Sequence, residues 1–194
     1  VTQAEDRIYN TVQVPILRKN VTGVIQAGNK YLATPTDFLS VFSMAVVDGD
    51  GNFEYLLNKD VNFIRAAYPS PTTIGTPAYY AIFGPEVTNK TPTNELSFIL
   101  GPTPDTSYTV ELHYYYYPES ITTANYSWLG DNYSPVLLYG SLVEAYIFMK
   151  GEQDMMTYYE DKFKEALGQL NRLGTGLERG DAYRDGQAKI KVTQ

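Results

Sequence analysis

Apolar residues recur at intervals of three and four along two neighbouring stretches late in the chain. Leu138, Leu142, Ala145 and Met149 make the first series, and Met156, Tyr159, Phe163, Ala166, Leu167 and Leu170 the second. This is the 3.6-residue period of an amphipathic helix, so residues 134–173 are predicted to hold two helices meeting at Gly151. Ser134 before Pro135 suits an N-cap followed by proline at the first helical position. Asp154 near the start of the second helix and Arg172 near its end complement the helix dipole. Gly174 is expected to stop that helix, as glycine commonly does just past a helix end. Helices joined by so short a turn lie antiparallel. Leu138, Leu142, Met149, Phe163, Leu167 and Leu170 are the expected core. Residues 2–13 read as a third, shorter helix with Ile8 and Val12 on one face, closed by Pro15.

Between these helices, over 14–121, the pattern changes to a period of two. Residues 21–27 alternate, and 38–47 are apolar and strand-like. The Asp48–Gly49–Asp50–Gly51 run before 52–57 is a hairpin signal. Residues 58–67 read as a short helix with Asn58 as its cap. Three further strands are expected at 77–83, 95–100 and 107–117, separated by a Gly84–Pro85 turn and a turn at 101–105. In the last strand Tyr108, Val110, Leu112, Tyr114 and Tyr116 share one face, and Thr109, Glu111, His113, Tyr115 and Tyr117 the other. Many short strands with Gly/Pro turns predict a small sandwich or barrel. A polar link at 122–133 carries the only tryptophan, Trp128, read as a plug over a domain core or as a subunit-interface anchor. Residues 174–194 are polar and aperiodic. They read as a flexible end, or as an arm that orders on a neighbour through Leu177, Tyr183, Ile190 and Val192.

Composition narrows the chemistry. The formal charge of −7 disfavours a general nucleic-acid binder, which needs a basic face against phosphates. It is compatible with a channel through which DNA slides without sticking. There are no cysteines, which removes disulfides, thiol nucleophiles and thiolate metal sites. No apolar run is long enough for a membrane-spanning helix, and the start of the sequence shows no secretory signal pattern. The 18 tyrosines fit either a half-exposed β face or a protein interface. His113 is the only histidine, so no multi-histidine metal site exists. The run from Asp48 to Asn52 mimics the opening of a calcium loop, but Phe53 and Lys59 stand where an EF-hand needs glycine and glutamate. No nucleophile elbow or phosphate loop is present. Glu160 and Asp161 share their stretch with Lys162 and Lys164, a solvated face. Nothing here supports an enzyme, a cofactor or a metal.

Leu138–Tyr139–Gly140, then Glu144, Ala145, Phe148, Met149, Lys150 and Gly151, then Tyr159, Glu160 and Glu165–Ala166–Leu167 resemble the C-terminal helices of head-to-tail adaptor proteins of tailed bacteriophages. The short-tailed phages, with their tail tubular protein A, are the nearest type. Ala4–Glu5–Asp6–Arg7–Ile8, Pro35–Thr36–Asp37–Phe38–Leu39 and Gly75–Thr76–Pro77–Ala78–Tyr79–Tyr80–Ala81 extend the resemblance over most of the chain. It implies an α+β fold: a three-helix unit from both chain ends (1–13 and 134–173) with an antiparallel β sandwich or barrel-like domain inserted at 14–121, the link at 122–133 and a docking tail at 174–194. The implied role is structural. Such adaptors form a twelve-membered ring in the virion, assembled in the host cytoplasm, that joins the portal protein to the tail nozzle protein. DNA passes through the central channel without specific binding, and tail fibre proteins can attach at the joint. On this resemblance Leu177, Tyr183, Arg184, Ile190 and Val192 are candidate portal contacts. Tyr114, Tyr115, Tyr116, Tyr117 and Trp128 are candidate interface residues. The alternative is a tyrosine-rich β module that binds carbohydrate or a host surface.

Overall fold

A computed structural model describes residues 1–88 and 91–184, with side chains described for 1–84 and 96–177. The chain divides into two compact units. One is built from both ends, Val1–Leu17 together with the chain from Tyr117 onward; the other is Arg18–Tyr116. The fold is α+β.

The end-built unit starts with helix α1 (Thr2–Thr11) and a short 3-10 turn, Pro15–Leu17. After the inserted unit come α3 (Ile121–Ala124), α4 (Trp128–Asn132), α5 (Ser134–Met149) and α6 (Gln153–Arg184). The expected polar link thus holds two short helices. Ser120 and Ser127 cap them, their hydroxyls accepting from Thr122 N and Gly130 N. Lys150 takes the left-handed conformation that closes α5, at φ 51°. Ile8, Val136, Val143, Phe163 and Leu170 are buried where α1, α5 and α6 meet, each burial stabilising by roughly 1.5–3 kcal/mol. Gly140 makes that meeting possible. A Cβ there would lie 3.0 Å from the Phe163 ring and 3.3 Å from Ala4 Cβ.

Several end-built features correct the sequence reading. Ser134 lies inside α5, and Tyr133 occupies the N-cap position without a side-chain cap. Gly174 does not stop α6. The helix runs on to Arg184, and a Cβ at Gly174 would sit 2.7 Å from Val14 Cγ1. The glycine is there for close approach to buried Val14, so the segment at 174–184 is helix rather than a flexible arm. Of the expected core, Phe163 and Leu170 are buried and Leu142 and Leu167 half-buried, while Leu138 and Met149 point outward. α5 is apolar on nearly every side, so periodicity alone could not choose its buried face. The structure buries Val136, Leu137, Gly140 and Val143.

Polar contacts lock α1 in place. The buried Glu5 carboxylate accepts from Ile121 N at 3.0 Å and from the Ser120 hydroxyl. Arg7 pairs with Glu144 at 3.5 Å and lies over the Phe163 ring. Tyr117 donates to Asn10 Oδ1 at 2.6 Å.

The inserted unit is a two-sheet sandwich. Its strands are β1 (Arg18–Ile25), β2 (Tyr31–Ala33), β3 (Phe38–Val47), β4 (Phe53–Tyr55), β5 (Leu57–Asn58), β6 (Tyr79–Thr88), β7 (Thr91–Gly101) and β8 (Tyr108–Tyr116). One sheet runs β1-β8-β3-β4 and the other β2-β7-β6-β5. All pairings are antiparallel except β5 with β6. The core between the sheets holds Phe38, Met44, Val46, Phe98, Leu100, Val110 and Leu112. Helix α2 (Val61–Ala67) covers the second sheet through Ile64 against Ala81 and Ile99. Its cap is Asp60, accepting from Asn62 N at 2.7 Å, not Asn58. Gly84–Pro85 is not a turn. β6 continues through it, and the register shift there is a bulge that Gly84 permits at φ +104°.

Two predictions follow from the end-built unit. Gly140→Val should lower the urea-unfolding free energy by roughly 1–3 kcal/mol through overpacking, whereas Gly168→Ala, on an open stretch of α6 with nothing within 4 Å, should raise it by about 0.5–1 kcal/mol. Equal effects at the two glycines would contradict the close crossing. Glu5→Ala should cost about 1–3 kcal/mol by orphaning the Ile121 amide, with Glu5→Gln recovering part of it; an unaltered urea midpoint would remove Glu5 as the tie.

Candidate assembly interface

The tyrosine run at the end of β8 is not a displayed face. Tyr114 is buried and donates to Asp37 Oδ1 at 2.8 Å. Tyr115 is buried and its hydroxyl accepts from Arg18 at 2.6 Å. Lys19 lies 3.9 Å above the half-buried Tyr116 ring and forms an ion pair of 2.6 Å with Asp37. Tyr117 is half-buried and tied to Asn10. Each of these rings is tied within its own unit, so the run is not the exposed aromatic face that the carbohydrate reading takes it for. Trp128 is half-buried, and the fully covered plug beside it is Leu129.

Charge around Tyr114 is tightly arranged. Burial pushes its phenol up to about 12, and the hydrogen bond to Asp37 and that carboxylate's charge push the same way. For Asp37, burial alone would raise the pKa; the hydrogen bonds from Lys19 and Tyr114 and the Lys19 charge outweigh it, so the net shift is downward.

Leu177 is exposed on α6. Tyr183 and Arg184 belong to the same helix by their backbone, and their side chains lie outside the described residues, as do Ile190 and Val192 altogether.

What the sequence reading missed is the apolar tip of the α5–α6 hairpin. Phe148 is 88% exposed, with Ile147 and Met149 beside it on α5 and Met155 and Tyr158 exposed at the start of α6. A helix apolar on all sides asks for burial on all sides, and one subunit supplies only part of it. That surplus was the available signal. The inserted unit also carries exposed Val24, Phe53, Tyr55 and Leu57 at its edges. Clusters of this kind mark interaction surfaces. Among the described residues no group of three or more His, Cys, Asp or Glu could hold a metal ion. Asp48 spends its carboxylate on its own turn, accepting from Asp50 N, Asn52 N and Asn52 Nδ2 at 2.8–2.9 Å. His113 packs edge-on against Phe42. No helix among the described residues is long and apolar enough to cross a membrane.

The sequence matches the family described as SU10 adaptor protein over residues 1–188. The chain belongs to that family. No curated protein matches it. Membership covers both units and makes the protein a bacteriophage head-to-tail adaptor with a structural role in the virion. For an SU10 adaptor, exposed apolar tips and edges on a well-packed subunit are what association with portal and tail proteins requires.

The Tyr114–Asp37 pair generates a pH prediction. Folded Tyr114 keeps its proton where an unfolded tyrosine, with pKa near 10, has lost it. Its contribution is therefore complete below about pH 10 and lost as pH rises toward about 12. Tyr114→Phe should be less stable than wild type at pH 7–9, and the gap should narrow above pH 10. A gap in urea midpoint that stays constant from pH 8 to pH 11.5 would contradict it.

Proposed function

We propose that this adaptor assembles as a closed ring, twelve-membered as in the short-tailed phages it resembles, between the portal protein and the tail nozzle protein. In this reading the helical unit meets the portal and the sandwich meets the nozzle. The observation that carries it is the exposed apolar tip around Phe148 on a chain that belongs to the SU10 adaptor family over nearly its whole length. α6 beyond Leu177, with Tyr183, Arg184, Ile190 and Val192, extends the portal-contacting surface. Tail fibre proteins attach at the outer rim of the ring. DNA passes through the ring without specific binding, and the net charge of −7 suits a wall that repels phosphate. The ring forms in the host cytoplasm and ends at the head–tail joint of the virion. The activity is geometric and involves no catalysis: a heterologous interface repeated until rotation closes it.

Phe148→Asp tests the portal contact. The side chain is almost fully exposed, so the variant should unfold within about 0.5 kcal/mol of wild type. Its co-sedimentation with the cognate portal should weaken about tenfold or more, as for a central apolar anchor. A variant that binds the portal as wild type does would take the hairpin tip out of the interface.

A further inference from the structure

The two long sides of the sandwich are finished differently. β1 and β2 border one side, where Val21, Gly23, Leu32, Ala33, Val110 and Leu112 line an apolar groove of about 290 Å³. β4 and β5 border the other, where Phe53, Tyr55 and Leu57 are exposed. Among the described residues β1 pairs only with β8, and β4 only with β3. Each therefore has a backbone edge open to a further strand. The middle of β1, Val21–Thr22–Gly23–Val24, carries neither charge nor proline, the usual guards of an edge.

The charges on the two sides are opposite. Residues 18–33 hold Arg18, Lys19 and Lys30 and no acid; residues 48–57 hold Asp48, Asp50 and Glu54 and no base. Two acids border this side as well, Asp37 paired with Lys19 and Glu111 accepting from Asn20, so the bases outnumber them three to two.

Direction and register agree with a repeat. Three antiparallel steps separate β1 from β4, so β4 runs opposite to β1. The rows cross the sheet as Val24–Thr109–Val47–Phe53, Gly23–Val110–Val46–Glu54 and Thr22–Glu111–Ala45–Tyr55. A copy placed alongside in the same orientation therefore brings its Phe53 level with Val24 and its Tyr55 level with Thr22. Its Asp48–Gly51 turn comes to the end of the sheet that holds the 26–30 turn with Lys30.

We propose that neighbouring subunits join edge to edge: β4 of one copy pairs antiparallel with β1 of the next, continuing the sheet from subunit to subunit. Phe53 and Tyr55 then cover Val24 and Thr22, and Asp50 and Glu54 face the basic side. The contact is heterologous, so its repetition closes a ring when a fixed rotation between neighbouring copies completes a full turn. The inference rests on the ring proposed above and supplies its seam. A second copy is the occupant that charge selects. The end of the chain is the other candidate occupant, but Lys189 and Lys191 would bring like charge to this edge. β1 against β1 of another copy would do the same.

The absence of cysteine makes the test clean. Val24→Cys/Phe53→Cys in the full chain, assembled with the cognate portal and mildly oxidised, should give a ladder of covalent multimers on a non-reducing gel. Directly opposed strand residues lie within disulfide reach. Val24→Cys mixed with Phe53→Cys should stop at dimers, and either alone should give none. Asp50→Lys/Glu54→Lys should abolish the ring, and adding Lys30→Glu should restore part of it. A ring of normal native mass with no ladder from this pair or from Thr22→Cys/Tyr55→Cys would overturn the seam and leave the ring standing. Dimers from Val24→Cys alone would overturn it in favour of a two-fold contact. Failure of wild type to form any ring on the portal would overturn both.

Discussion

Three helices can meet at one point only because no side chain stands between them. Gly140 lets α5 lie against Phe163 of α6 and Ala4 of α1 at distances that a Cβ would contest. Val14 and Gly174 repeat the device where α6 passes the end of the first segment. Dispersion falls steeply with separation, so a gap closed by even a fraction of an ångström matters at every contact around it. The Glu5 carboxylate then ties α1 to the entry of α3, across 116 positions of sequence. With both chain ends held in one unit, the inserted sandwich needs only a way out and a way back. Its first and last strands, β1 and β8, pair with each other, Arg18 opposite Tyr115.

The same helices carry a conflict between stability and assembly. α5 is too apolar for a surface helix, and a lone subunit leaves Leu138, Ile147, Phe148 and Met149 in water. Burying such a tip against a partner recovers free energy that the monomer forgoes, roughly 25 cal/mol for each Å² of apolar surface. An adaptor gains from this arrangement. Its polar ties, Glu5, Arg7 with Glu144 and Tyr117 with Asn10, satisfy the fold internally and leave the apolar surplus for association.

Much of this was legible in the sequence. The strand at 38–47 and the inward face of β8 follow from alternation, because a half-buried strand must repeat every two residues. The α+β class and the adaptor family follow from the order of the helical and β segments and from pieces such as Ala4–Ile8, Gly140 and Glu144, which the fold brings together. The failures have physical causes. Gly174 and Gly84 looked like terminators because glycine marks a missing side chain without saying whether a turn, a bulge or a neighbouring helix requires it. Leu138 and Met149 were read as core because α5 has no polar face to orient it. Tyr114, Tyr115 and Tyr117 were candidate interface residues, yet their hydroxyls find Asp37, Arg18 and Asn10, partners too far away in sequence for any local pattern to reveal. The tie made by Glu5 was hidden for the same reason.

The central claim is that these exposed surfaces exist to close a ring on the portal. The direct measurement is the native mass of the wild-type full chain, alone and mixed with its cognate portal. The account predicts one discrete species in the mixture, the portal plus a fixed whole number of adaptor copies. A chain that stays monomeric at every concentration, with the portal's mass unchanged by its presence, would contradict it.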